Sequence, residues 1–213
     1  MSLSRQINKA TTAKIARNSF SIKTGSMQYT ESLNETDVCL ALEFNPAVKA
    51  YTTQPDSFIN TSGRGGWRRY TPDVLAEFYS DDNDDFRFLE IKPEVLTHSE
   101  SFKQKFALHQ RIVKEHSGLE LELIVEPAVH PHTLTQWRQL KAYYRYETCK
   151  VFNQHVCQFI SENGKAITLR ELELFCQIED VPDFYPLVML AHQVLHCVHP
   201  EVITRETLIE VTA

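Results

Sequence analysis

The sequence lacks the features of membrane-spanning and secreted proteins. No apolar run in the 213 residues approaches the length of about 18 that a membrane span needs, and the first residues, MSLSRQINKATTAK, lack a signal peptide's apolar segment. The five cysteines form no C-x-x-C pair, which disfavours a disulfide framework or a zinc knuckle. We therefore expect an intracellular protein without membrane contact, whose cysteines are reduced and mostly buried.

The start of the chain lacks acidic residues, and its last part has few basic residues. Residues 1–30 contain five Lys and Arg and no acidic residue. Residues 151–213 contain 3 basic against 9 acidic residues, and they carry the whole net charge of −6 because residues 1–150 hold 19 of each kind. The acidic part predicts docking to a basic protein surface.

Local basic surface matters more for binding phosphates than the total charge does. Two groups of basic residues are therefore candidates for nucleic-acid binding, with a solvated tail and an ordinary basic loop as the alternatives. The candidates are Lys9, Lys14 and Arg17 in the first group and Arg64, Arg68 and Arg69 in the second. Trp67 and Tyr70, next to the second group, could stack on nucleic acid or pack at a strand edge.

The hydrophobic pattern of the first two thirds predicts a mixed α/β domain. The predicted order is helix, strand, strand, strand, helix, strand. The elements are a helix at 32–44, a strand at 48–54, a hairpin of 68–79 and 86–92 around the acidic run 81–85, a helix at 99–116 and a strand at 119–125. We interpret the acidic run as a solvated turn, because it lacks the spacing and the final Glu of a calcium loop.

The last third predicts mainly helices. A long connecting helix, with or without a break, covers 134–161, and the capping-box pattern of Thr168 and Glu171 begins a short helix. A second helix at 183–198 and a hairpin at 202–211 complete a winged-helix-like module. That second helix carries no Lys or Arg, which favours protein docking over DNA reading.

One constellation points to chemistry. Asp73 follows a proline, and sixteen residues separate it from Glu90-Ile91-Lys92. Glu90 and Lys92 lie on one face of a strand while Ile91 faces the opposite layer, and the hairpin can bring Asp73 beside them. Two carboxylates bind a hard divalent cation such as Mg²⁺, and a lysine beside it can orient or deprotonate water. This set of residues predicts phosphodiester hydrolysis.

These residues form the motif PD…(D/E)xK, and here the chain resembles the restriction-endonuclease-like nuclease superfamily. The surrounding segments look like the TnsA endonuclease family of heteromeric cut-and-paste transposons, over roughly residues 30–130. The segments that carry this resemblance are Ser32–Asp37, Leu42–Pro46, Gln54-Pro55, Arg69–Asp73 and Leu89–Pro93.

The resemblance implies an α/β fold. It has a restriction-endonuclease-like core, with helices flanking a mixed sheet, followed by a small, mostly helical, winged-helix-like C-terminal domain. We accordingly expect a basic arm at 1–30, a nuclease domain at 31–133, a connecting helix at 134–164 and a docking domain at 165–213.

The resemblance also implies a function. The protein would cut the 5′ ends of the transposon in double-stranded DNA, while a DDE-type transposase processes the 3′ ends and an AAA+ ATPase regulates both. Mg²⁺ is the expected cofactor, with Mn²⁺ able to substitute, and the expected location is the bacterial cytoplasm at the nucleoid. Two alternatives stay open: a stand-alone restriction- or resolvase-like nuclease, and a non-catalytic assembly module.

Four residues take catalytic roles by the resemblance. Asp73 is the central metal ligand, Glu90 the second ligand, at a position where the family also tolerates Gln, and Lys92 the catalytic lysine. Glu35 corresponds to a helix glutamate that contributes to the metal site. Gln54 matches a family glutamine of uncertain role. Capping of the helix by Ser32 and Glu35 is the alternative for Glu35.

A zinc site is the other metal alternative. His192 and His196 are four residues apart on the predicted helix at 183–198, with His199 nearby, and zinc can use this spacing. No glutamate follows His192 and no cysteine pair lies near. Polar or packed helix histidines are the commoner explanation of such a pattern.

Overall fold

The structure, a computed structural model, describes residues 16–60, 68–80, 85–199 and 202–212. The chain divides into two units, Met1–Val129 and His130–Ala213. This division lies next to the expected nuclease boundary at 133, and the separate segments 134–164 and 165–213 stay a prediction. Within the described residues, every helix is too short or too polar to cross a membrane.

The first unit is built on a mixed sheet. Its described elements are β1 Arg17–Ser21, β2 Ser26–Thr30, α1 Leu33–Phe44, β3 Val48–Thr53, β4 Phe58–Asn60, β5 Arg68–Tyr70, β6 Val74–Phe78, β7 Asp85–Pro93, α2 Glu94–Thr97, α3 Glu100–Ser117 and β8 Glu120–Glu126. The central sheet has the order β3-β6-β7-β8. Its first two pairings are antiparallel and β7–β8 is parallel. The predicted mixed α/β core is confirmed.

Helices α1 and α3 each pack apolar side chains against a different set of strand residues. In one cluster Val38 and Leu42 of α1 pack with Leu89 and Ile91 of β7. In the other, Ile112 and Val113 of α3 pack with Phe58, Phe88 and Leu121. Successive side chains of a strand point to opposite faces. Glu90 and Lys92 therefore share the face of Phe88, as the alternation predicted.

Two small pairings were not predicted. Strands β1 and β2 form an antiparallel hairpin, so the predicted basic arm is a hairpin from Arg17 onwards. Strands β4 and β5 form a second pair, and the run expected at 68–79 is divided into β5 and β6. The division falls at Thr71-Pro72-Asp73, where a proline has no N–H for a strand ladder.

Lys23, in the turn of the first hairpin, has a structural role. Its Nζ donates to the carbonyl of Val48 at 2.6 Å and to the carbonyl of Asn45, which caps the C-terminal end of α1. Burial lowers the pKa of Lys23 to about 8, against the opposing effect of Glu43. This member of the basic N-terminal group therefore serves the fold.

The second unit combines helices with a small antiparallel sheet. Its described elements are α4 Pro131–Leu140, α5 Lys150–Asn163, β9 Ile167–Thr168, α6 Leu169–Ile178, α7 Tyr185–Ala191, β10 Leu195–Cys197 and β11 Leu208–Val211. The strands have the order β10-β11-β9. The connecting helix is broken into α4 and α5, and the capping box of Thr168 and Glu171 is confirmed.

Two expectations for this unit are wrong. The helix expected at 183–198 ends at Ala191, because Gln193 has a left-handed backbone (φ 59°) and the chain then enters β10. The segment at 202–211 is no hairpin. Its only described strand, β11, lies between the preceding strand β10 and β9, and both partners lie outside the segment. The winged-helix assignment itself stays a prediction.

Candidate active site

The candidate site lies where β6 begins beside β7. Asp73 immediately precedes β6, and its N–H donates to the carbonyl of Leu89 at 3.1 Å. Its carboxylate Oδ2 accepts the backbone N–H of Ile91 at 2.7 Å, beyond the last register pair of the two strands. Backbone and side chain together fix Asp73 against β7.

Three oxygen atoms surround the ammonium of Lys92. Nζ lies 2.7 Å from Glu90 Oε1, 2.9 Å from the carbonyl oxygen of Ile91 and 3.3 Å from Asp73 Oδ2. The side chains of Glu90 and Asp73 are only 10% and 14% exposed. The structure therefore brings together Asp73, Glu90 and Lys92, as the sequence predicted, and it adds a backbone carbonyl.

The charges of this cluster do not balance. Burial and then the charge of Glu90 raise the pKa of Asp73 to about 6, against the opposing effects of Lys92 and the Ile91 N–H. Burial alone would lower the pKa of Lys92, but the two carboxylates outweigh burial and raise it. Beyond the effect of burial on Asp73, the cluster holds two carboxylates and one ammonium, which cannot neutralise both. The cluster therefore attracts cations.

A tyrosine and a histidine complete the site, and the sequence did not predict their role. The hydroxyl of Tyr70 donates to Glu90 Oε2 at 2.7 Å. The Tyr70 ring stacks on His109 of α3, with ring centroids 3.7 Å apart and planes inclined by 29°. Burial and the charge of Glu90 raise the pKa of Tyr70, and burial lowers that of His109. Of the two interpretations of Tyr70, packing agrees with these contacts.

Glu35 is held by the N-terminus of α1. Its Oε2 accepts the N–H of Glu31 at 2.7 Å and its Oε1 accepts the hydroxyl of Ser32 at 2.8 Å. Ser32 Oγ in turn accepts the N–H of Glu35 at 3.2 Å. The charge of Glu35 still contributes to the raised pKa of Asp73, as the smallest of the causes. Glu35 thus caps the helix and lies within electrostatic reach of the site.

Gln54 supports Asp73 through the backbone. It follows β3 with a left-handed conformation (φ 50°), which a residue other than glycine seldom adopts. Its N–H donates to the carbonyl of Asp73 at 2.9 Å, and its side chain is buried. Gln54 also lines a cleft of about 580 Å³ together with residues of β2 and β3. Backbone strain of this kind is frequent at functional sites.

The predicted DNA-binding residues fall into two classes. Lys9, Lys14, Arg64 and Trp67 lie outside the described residues. Arg17 begins β1, and Arg68 and Arg69 belong to β5, the strand that also carries Tyr70. Arg69 is exposed. Two members of the second basic group thus lie on the same strand as Tyr70, which contacts Glu90.

The described residues hold no group of three or more His, Cys, Asp or Glu that could bind a metal ion. The two carboxylates that meet at Lys92 in the candidate site are those of Asp73 and Glu90. The zinc alternative required His192 and His196 to lie on one helix, and that prediction is wrong. His192 ends α7 and contacts the carbonyl of Tyr146 at 2.8 Å, whereas His196 lies on β10, 3.5 Å from Glu210.

Comparison with known proteins identifies the central segment. Residues 45–126 match a family model described as TnsA-like endonuclease N terminal. No curated protein matches the chain. The matched segment runs from β3 to β8 and contains Asp73, Glu90 and Lys92, whereas Glu35 precedes it. The resemblance to a TnsA-like endonuclease is confirmed for this segment, which indicates a transposon-related nuclease.

Proposed function

We propose that this TnsA-like protein is the metal-dependent endonuclease subunit of a heteromeric cut-and-paste transposase. It cleaves the 5′ ends of the transposon in double-stranded DNA. A DDE-type transposase processes the 3′ ends, and an AAA+ ATPase regulates both subunits. The observation that carries the proposal is the set of Asp73 Oδ2, Glu90 Oε1 and the Ile91 carbonyl around one cationic atom, inside the matched segment.

The donor set fits a hard divalent cation. All three atoms are oxygens, two of them are carboxylate oxygens, and the ammonium of Lys92 already occupies the point where they converge. Mg²⁺ is typically bound by one or two carboxylates together with water and phosphate oxygens, and Mn²⁺ favours the same ligands. A bound cation supplies Lewis-acid polarisation of the phosphodiester and stabilises charge on the leaving oxygen.

The residues of the chain have separate roles in this proposal. Asp73 and Glu90 hold the cation, and the hydrogen bond from Ile91 N–H keeps the Asp73 carboxylate in place. Lys92, with its raised pKa, is an ammonium at neutral pH. It therefore orients the attacking water or a phosphate oxygen by donating hydrogen bonds. Glu35 assists from the start of α1, where its charge is felt at Asp73.

Binding of DNA is proposed to depend on partner proteins. Residues 1–150 have equal numbers of basic and acidic residues, so the nuclease part has little net charge for non-specific DNA binding. The DNA backbone is positioned locally by the basic candidates, which include Arg17, Arg68 and Arg69. Activity of the isolated protein should therefore be low.

The test is a reconstituted transposition assay with the cognate transposase and ATPase, with both strands mapped at the transposon ends. We expect wild type to cut the 5′ ends and to give simple insertions. Asp73→Ala should leave the 5′ ends joined and yield cointegrates. Asp85→Ala is the matched control, since this aspartate pairs with Arg87 at the far end of β7.

Two outcomes would replace the proposal. If Asp73→Ala behaves like wild type, the assembly-module interpretation takes its place. If purified wild type cleaves DNA efficiently without partners, the stand-alone nuclease does.

A further inference from the structure

The two oxygens of the Glu90 carboxylate have different partners. Its Oε1 lies 2.7 Å from Lys92 Nζ, on the side of Asp73 and the Ile91 carbonyl. Its Oε2 accepts the hydroxyl of Tyr70, also at 2.7 Å. A tyrosine hydroxyl is protonated at neutral pH and can donate. One oxygen of Glu90 thus faces the cation position and the other is taken by a donor.

The donor is held from outside the strand that carries Glu90. Tyr70 belongs to β5, which pairs with β4 and not with β7. Its ring lies on the imidazole of His109 from α3, with centroids 3.7 Å apart, and it packs against the apolar cluster of Phe58 and Phe88. The position of the hydroxyl is therefore set largely by β5 and α3, so it constrains the rotation of the carboxylate.

We propose that Tyr70, supported by His109, is a positioning residue that limits Glu90 to one-oxygen binding of the cation and thereby selects Mg²⁺ over Ca²⁺. Mg²⁺ needs near-octahedral geometry with short bonds, which suits single oxygens. Ca²⁺ takes six to eight oxygens and accepts both oxygens of one carboxylate. This inference rests on the proposed metal site, and it assigns a role to residues that the endonuclease motif does not contain.

Removal of the hydroxyl should release Oε2. Glu90 is nearly buried, so an Oε2 without its donor loses a hydrogen bond that water cannot readily replace. The remaining favourable partner is a cation that can accept both oxygens. Ca²⁺ should then gain affinity, while Mg²⁺ gains nothing or loses because the carboxylate is less well oriented.

The experiment is isothermal titration calorimetry of the full-length protein with MgCl₂ and with CaCl₂. For Tyr70→Phe we expect the ratio of Ca²⁺ affinity to Mg²⁺ affinity to rise about fivefold to tenfold. His109→Leu should shift the ratio in the same direction by a smaller factor. Tyr79→Phe is the matched control, because Tyr79 is 67% exposed and its backbone N–H bonds to Ala47. Its ratio should equal that of wild type.

The ratio is measured within one variant, so an unfolded fraction lowers both affinities alike and leaves it unchanged. If wild type binds the cations and Asp73→Ala does not, but Tyr70→Phe keeps the wild-type ratio, this inference is overturned while the proposed metal site stands. If wild type binds neither cation, or if Asp73→Ala binds them equally well, the metal site and this inference both fail.

Discussion

The two units of the molecule each contain a helix start of the pattern Ser/Thr-x-x-Glu, and the two glutamates differ. Glu171 at α6 accepts both hydrogen bonds of Thr168 on one oxygen, and these bonds lower its pKa. Glu35 at α1 uses both oxygens, for Glu31 and Ser32, and its charge reaches Asp73. The same local motif thus occurs alone in one unit and beside a charged cluster in the other, so the motif by itself does not tell a cap from a catalytic residue.

The largest effect should come from exchanging Glu35 for glutamine, and the same exchange at Glu171 serves as the comparison. A glutamine can still cap a helix start but lacks the charge. We expect Glu35→Gln to lower 5′-end cleavage in the reconstituted assay about 10- to 100-fold, the usual effect of losing a group that supports a metal site. Glu171→Gln is the matched control and should cleave like wild type. Equal activity of both variants would make Glu35 a cap only.

A second effect should come from the imbalance of charge at the candidate site. Lys92→Met removes the ammonium that contacts both Asp73 and Glu90. Two largely buried carboxylates then lack the one cation that pairs with them among the described residues. We expect the metal-free protein to lose about 2 kcal/mol of unfolding free energy, below the range for a fully buried pair because Lys92 is partly exposed. Urea unfolding in EDTA measures this, with Lys103→Met as control, since Lys103 forms an exposed pair with Glu100. An equal loss in both variants would contradict the charge imbalance.

A third effect, opposite in sign, should follow from neutralising Asp73. Its pKa rises from 3.8 to about 6 in the folded protein, so between these values the folded state binds more protons than the unfolded state. Its contribution to stability therefore falls as the pH rises through this window. Glu171, with a lowered pKa, acts in the opposite direction: its contribution is present at neutral pH and is lost on acidification.

We accordingly expect Asp73→Asn to unfold with about 1 to 2 kcal/mol more free energy than wild type at pH 7 in EDTA, and with no gain near pH 4. Urea unfolding at a series of pH values measures the difference. A variant that is less stable than wild type at pH 7 would show that the hydrogen bonds of Asp73 outweigh the repulsion from Glu90.

Local patterns predicted the parts of this site that one hairpin positions. The alternation in β7 put Glu90 and Lys92 on one face, and the pairing of β6 with β7 brought Asp73 beside them. The contact of Tyr70 with His109 joins β5 to α3, and no periodicity or spacing relates two such elements. Only the packing of the folded chain reveals it.

The errors in the C-terminal unit have a similar physical origin. The apolar run at 183–198 has helical spacing throughout, but its end becomes β10 because β11 offers a pairing partner. The segment at 202–211 contains turn residues and apolar residues in a hairpin-like order, yet β11 pairs with β10 and β9, which both lie outside that segment. Pairing with a strand outside the segment overrides local preference in both cases.

The smallest effect concerns the acidic surface of the second unit. Helix α6 exposes Leu174 and Ile178, and Glu179 and Asp183 are exposed close to its end. If this surface docks a basic partner, reversing its charge should weaken binding several-fold at low salt and less at high salt. Glu179→Lys suits the helix end, where a cation is favourable, so the fold should persist.

Binding of the purified double variant Glu179→Lys/Asp183→Lys to the transposase and to the ATPase, by surface plasmon resonance at two salt concentrations, tests this prediction. The double variant Glu100→Lys/Glu115→Lys on α3 of the first unit is the control for the same change in net charge, since both residues are exposed and lie outside the acidic unit. Equal weakening by the control would mean that net charge, and not this surface, governs association. Unchanged binding by the Glu179→Lys/Asp183→Lys variant would place the docking surface elsewhere. Loss confined to that variant, with Mg²⁺ binding intact, would separate recruitment in one unit from chemistry in the other.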